Sequence, residues 1–178
     1  NVLRFNMKLQ SPMLLCAFIV LLSGAWAQQT HVYTNPDRLF QDARTLFLQA
    51  DYALAYPLMQ TLGRQYPGQA AGDERFNSDD LQYYMRVCRM KLMQPEPAKE
   101  AEAYIQTINN RPRADLMSYH LAHYSFTTDD FNAALKYFDK AGEDNLSSEQ
   151  VEEAKFEKAY CYFNLKKFGE AMPLFNDV

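Results

Sequence analysis

His120 and His123 stand three residues apart. On a helix that spacing sets two imidazoles on one face, where both could touch one metal ion. A metal site needs three or four ligands, and the neighbouring sequence offers no third, so no metal is expected. The remaining histidine, His31, lies far off in the chain. Acidic residues gather at Asp129-Asp130, at Glu143-Asp144 and through 149–157. The first pair suits a helix N-terminus, where the aligned peptide dipoles favour negative charge. The last group reads as a solvated helix face. Nucleophile and phosphate motifs are missing: there is no G-x-S-x-G, no G-x-x-x-x-G-K-[ST], no G-x-G-x-x-G and no H-E-x-x-H. The expectation is a protein without catalytic chemistry and without a cofactor.

Charge and composition narrow the partners. The chain has 178 residues, 48% of them hydrophobic and 22% charged, which is an ordinary globular balance and argues against disorder. Only six glycines are present, too few for glycine-rich phosphate loops or a turn-dense β fold. Near the start, Met7 and Lys8 precede an apolar run at 13–22, and Ala25-Trp26-Ala27 has the small-x-small form of a cleavage site. Residues 1–27 therefore read as upstream residues plus a secretory signal peptide cut after Ala27. An apolar run of about ten residues is too short to span a bilayer. Cys16 is preceded by Leu15 rather than a small residue, so a lipid-attachment box is not expected. The leader holds Arg4 and Lys8, two of 18 basic residues, and none of the 22 acidic ones; 16 basic against 22 acidic residues remain, a net charge of −6. Such a domain is a poor ligand for a phosphate backbone, and nucleic acid is excluded as a partner. Cys88 and Cys161 remain, both inside helical apolar patterns. They read as small buried hydrophobes with free thiols, since two cysteines make no disulfide framework.

The elements that must position these groups are helical throughout, because apolar residues recur at spacings of three and four. After a lead-in at 28–35, helices are predicted at 36–49, 51–65, 79–93, 97–109, 114–127, 129–141, 148–165 and 167–178. Start signals are Asn35-Pro36, Ser78 before Asp79-Asp80, Pro97, and Ser147 with Gln150 as a capping box. Prolines at Pro57 and Pro173 are expected in first turns, where a missing N–H costs least. The polar segment 66–78, with Pro67, Gly68 and Gly72, is expected to be a surface loop.

The helices repeat. The second of each pair carries an alanine, a bulky apolar residue four later and a smaller one three after that: Ala55/Met59/Leu62, Ala101/Ile105/Ile108, Ala134/Phe138/Ala141 and Ala171/Phe175/Val178. An aromatic stands three before the alanine at Tyr52, Phe131 and Phe168. The first helix of each pair holds a small residue twelve or thirteen earlier: Ala43, Cys88, Ala122 and Ala159. This pattern resembles the tetratricopeptide repeat, with its 34-residue helix–turn–helix and A-x3-F core. The resemblance covers 36–178 as about four repeats, 36–67, 79–112, 114–145 and 148–178. Departures fall at Ser118 and Lys155, where a large residue is usual. No polar capping helix follows, so further repeats beyond Val178 are expected.

The resemblance implies an all-α, right-handed superhelical solenoid of antiparallel helix pairs, with a concave groove that holds a partner protein or peptide. Stepping −3, +1 and +4 from each small residue traces one face of the first helices. It carries Phe40, Arg44 and Phe47; Met85, Arg89 and Leu92; Tyr119, His123 and Phe126; Phe156, Tyr160 and Phe163. Aromatics and arginines are the residues of binding hot spots. The competing reading is that the aromatics are inter-helix core. The Lys and Asn of carboxylate-clamp members are absent from this face. The function expected is an exported scaffold for protein–protein interaction in a bacterial cell envelope, in the periplasm or in peripheral contact with outer-membrane complexes. The alternatives are a glycan- or nutrient-binding outer-membrane accessory, or the N-terminal part of a larger protein with a downstream domain.

Overall fold

Pro36 opens the first helix of the computed structural model, which describes residues 35–66 and 78–177. The segment predicted as a signal peptide, Cys16, His31, most of the lead-in, residues 67–77 of the predicted loop and Val178 lie outside the described residues. The helices are α1 (Pro36–Leu48), α2 (Tyr52–Gln65), α3 (Ser78–Lys91), α4 (Pro97–Thr107), α5 (Arg111–Thr127), α6 (Phe131–Ala141), α7 (Ser148–Asn164) and α8 (Phe168–Asn176). Among the described residues all regular structure is helical, which makes the fold all-α.

Local chemistry explains where these helices begin. Ser147 accepts the Gln150 N–H while the Gln150 side chain takes the Ser147 N–H, a reciprocal capping box at the head of α7. Asp130 accepts from the Ala133 N–H and caps α6. Helix α5 starts three residues earlier than the predicted 114. Asn110 caps it by accepting from the Arg113 N–H, and Pro112 fits its first turn. The prolines of α2 and α8 depart from expectation. Because these helices begin at Tyr52 and Phe168, Pro57 and Pro173 are each the sixth helical residue, in the second turn. Each removes a bond to the carbonyl four residues back, at an exposed position.

The first helix of every pair ends the same way. A left-handed residue stops it: Ala50, Met93, Asp129 and Lys166, with φ of 61°, 50°, 60° and 60°. The next N–H then reaches back five residues, from Asp51 to Leu46, Gln94 to Arg89, Asp130 to Ser125 and Lys167 to Tyr162, at 2.9–3.0 Å. This is the Schellman closure, here built four times without glycine. In three pairs the second helix starts directly after it. In α3/α4 two further residues, Pro95 and Glu96, intervene, and α3 stops two residues earlier relative to its small residue. These two changes cancel, and the spacing of thirteen from Cys88 to Ala101 arises because Ala101 stands four residues after the start of its helix, where Ala55, Ala134 and Ala171 stand three after theirs.

Packing follows the repeated small residues. Ala43, Cys88, Ala122 and Ala159 are all 0% exposed, and Ala55, Ala101, Ala134 and Ala171 are 0–1% exposed. A side chain of one or two heavy atoms lets two helices approach closely, and the bulky residues Met59, Ile105 and Phe138 fill the space alongside. Ser118, one of the two departures, is also fully buried, and its hydroxyl donates to the Ala114 carbonyl 2.8 Å away. Each helix packs on its neighbours in sequence. The first helices also pack on one another, α1 on α3, α3 on α5 and α5 on α7. Among the described residues no helix touches another more than two places along the order.

Candidate functional site

The row of first helices carries the residues singled out from the sequence, and it does not expose them equally. Phe40 and Tyr119 are buried. Phe40 and Phe47 both pack on Tyr84, and Phe47 meets Tyr52 edge-on with ring centres 5.4 Å apart. Phe126 meets Tyr160 edge-on at 5.5 Å, so this pair ties α5 to α7. Met85 and Leu92 are half-buried. Phe156, Tyr160 and Phe163 at the α7 end keep 47, 43 and 53% of their surface exposed. Phe156 touches Phe175, and Phe163 touches Phe168. Much of the aromatic row therefore seals the seams between helices, and its exposure rises toward α7.

The polar members of the row are anchored as well. Arg44 is exposed and directs its Nε to the Tyr84 hydroxyl at 3.3 Å. Arg89 donates to Glu100 at 2.7 Å and to the Pro95 carbonyl at 2.8 Å, and so braces the longer α3/α4 turn. His123 donates or accepts through Nδ1 to Glu157 Oε1 at 2.8 Å, with Glu153 Oε1 at 3.6 Å. Together His123, Glu153 and Glu157 offer three ligand atoms within 4.8 Å of one another. The acidic stretch 149–157 is thus not wholly a solvated face. Glu149, Glu152 and Glu153 are exposed, but Glu157 is only 4% exposed, because it shares a helical stripe with the buried Ala154 and Cys161 and meets His123 of α5.

These polar contacts share one spacing. Asp80 pairs with Arg113, Tyr83 with His120, Tyr119 with Glu153, His123 with Glu157, and Glu102 with Tyr137; the partners are 33 to 37 residues apart. Each contact joins equivalent helices of neighbouring pairs. Arg113 also lies over the Tyr83 ring, 4.4 Å from its centre.

His120 does not join His123 in one site. Its Nε2 lies 3.0 Å from the Tyr83 hydroxyl, and its Nδ1 is shut off from solvent without a partner. Burial pushes its pKa down to about 3, and its electrostatic interactions with Lys91 and His123 lower it further. The two histidines and Lys91 line a cavity of about 130 Å³ between α3 and α5. A larger groove, about 780 Å³, lies between α3, α4 and α5, lined by Asp79, Gln82, Arg86, Tyr104 and Arg111. None of the aromatic row lines it. Cys88 and Cys161 are buried free thiols, and burial pushes both up to about 12. They are too inert for nucleophilic work at neutral pH.

Sequence reasoning missed Glu153 and Glu157 as neighbours of His123. The signal was available in the repeat spacing, since residues one repeat apart on the first helices meet. Among the described residues, no helix is long and apolar enough to cross a membrane. No family model matches the chain, and comparison with curated proteins and with solved structures finds no match.

Proposed function

We propose that this chain is an exported, non-enzymatic scaffold of the tetratricopeptide type, whose stacked first helices present a binding row to a protein or peptide partner. The observation that carries the proposal is the packing of α1, α3, α5 and α7 on one another. That order sets Arg44, Arg89, His123 and Tyr160, each one step beyond a buried small residue, along one side of the stack. Continued at each pair, such stacking supports the reading of a right-handed solenoid with this row on its inner side. Aromatic and arginine side chains held rigid by their neighbours lose little freedom on binding, which favours a contact surface. The leader at 1–27 supports export, and with it an envelope location.

The test is capture from envelope extract by the wild-type chain, by Arg44→Ala and by the Arg44→Ala/Arg89→Ala double variant. A groove predicts that specific capture falls already with the exposed Arg44→Ala alone, at an unchanged melting temperature, and falls further in the double variant, which also loses the Arg89 brace of the α3/α4 turn and melts somewhat lower. Equal capture by all three proteins would leave the row as inter-helix packing alone.

A further inference from the structure

We infer that His123, Glu153 and Glu157 form a binding site for one zinc-like divalent cation, built across the seam between α5 and α7. The inference stands apart from the scaffold proposal, because it rests on ligand geometry and burial rather than on a partner surface. His123 Nδ1 lies 2.8 Å from Glu157 Oε1 and 3.6 Å from Glu153 Oε1, and all three ligand atoms fall within 4.8 Å of one another. A four-coordinate zinc about 2.1 Å from each ligand holds those ligands about 3.4 Å apart. Small side-chain adjustments therefore suffice, and the ion would take the place of the direct His123–Glu157 contact.

A second observation points the same way. Glu157 is 4% exposed, and its Oε2 is buried with no hydrogen-bond partner. A buried carboxylate oxygen without a partner is costly, and a bound cation satisfies it. Tyr119 donates its hydroxyl to Glu153 Oε2, which leaves Oε1 turned to the cluster and fixes the carboxylate, as outer partners of metal ligands do. Glu153 and Glu157 are one helical turn apart, so both face α5 without strain. Lys91 is the nearby group of opposing sign. Burial lowers its pKa and the attraction of both glutamates opposes that shift, but it forms no ion pair with either, so a bound cation breaks no direct bond to it. Imidazole nitrogen beside two carboxylates suits zinc, cobalt or manganese, and it disfavours magnesium and calcium, which prefer oxygen alone. Three protein ligands leave a fourth position for water.

The experiment is calorimetric titration of the full chain, freed of metal by a chelator, with zinc chloride, and with cobalt(II) as a spectroscopic probe. The expected result is one ion per chain, a raised melting temperature and visible cobalt bands of a low-coordinate site. His123→Ala and Glu153→Gln should each weaken zinc binding by roughly a hundredfold or more, since losing an outer partner alone costs about 10–100-fold. His120→Gln should leave it unchanged, and magnesium chloride should give no binding heat. Absence of zinc binding to the wild-type chain overturns the inference. So does binding that survives both ligand substitutions. If His123→Ala does not fold, Glu153→Gln decides alone, because Glu153 is largely exposed and its amide keeps the shape and accepts from Tyr119.

Discussion

Tyr83 of α3 and His120 of α5 meet across the helix stack, the hydroxyl 3.0 Å from Nε2, although 37 residues separate them in sequence. The contact holds the imidazole in a place where it cannot easily take a proton. In the unfolded chain His120 titrates near 6.5, and in the fold near 3. Between those values the unfolded state binds the extra proton, so stability is full above about pH 6.5 and is lost as pH falls toward 3. The loss from this one group should reach roughly 2–4 kcal/mol. Urea unfolding at pH 7.5, 5.5 and 4.5 should show a shallower acid decline for His120→Gln than for wild type. Parallel declines would mean that His120 is protonated in the fold.

Ala134 is the small residue of the third pair and is 0% exposed. Ala134→Arg forces a long side chain and an unpaired charge between α5 and α6, and should destabilise by roughly 3 kcal/mol or more. Asn132→Arg, on the exposed side of the same helix, should stay within about 0.5 kcal/mol. Denaturant midpoints compare the two directly. A neutral Ala134→Arg would put the repeat register in error.

Lys166 holds a left-handed conformation, with φ of 60°, at the end of α7. A side chain there costs about 1–2 kcal/mol, and glycine gives back part of that through its freer unfolded state. Lys166→Gly, and likewise Ala50→Gly, should raise stability by about 0.5–1 kcal/mol. A drop in melting temperature would show that the side chains at these turns contribute contacts that outweigh the backbone.

Cys88 and Cys161 are fully buried, with thiols pushed up to about 12. In a Cys16→Ser background, neither should react with an aromatic disulfide reagent at pH 8 while the protein is folded. Both should react at once in denaturant. Fast labelling of the folded chain would mean that α3 or α7 opens locally.

The all-helical fold could be read from the chain because its information is local. The capping box at Ser147, the aspartate at Asp130 and the periodic apolar faces act within a turn or two, and the small residues mark each pair. The end of each first helix was less legible. Glycine, the usual signal for a left-handed stop, is absent at Ala50, Met93, Asp129 and Lys166, so the turn is imposed by packing of the pair. The placement of Pro57 and Pro173 in first turns did not follow from the boundaries, since both prolines lie past the first turn of the predicted helices as well as of the observed ones. The His123 cluster was hidden for another reason. A local search for a third ligand cannot find Glu157, which comes from the next pair and is brought in by the stack. Its burial also contradicts the polar look of the 149–157 stretch, because a helix presents one residue in three or four to each neighbour.

Among the described residues, the contacts of each helix end at its second neighbour along the chain. Little of the chain must therefore be brought together over long loops before a contact forms, and the entropy of closing such loops is small. Refolding should be rapid for a chain of this length. Loss of structure should be graded, beginning at a terminal pair and advancing one seam at a time, so that calorimetric and two-state enthalpies of unfolding diverge. A region bound at α5 and α7 would arrest that advance, which makes the seam holding His123 and Glu157 the place where a ligand would most lengthen the life of the folded array.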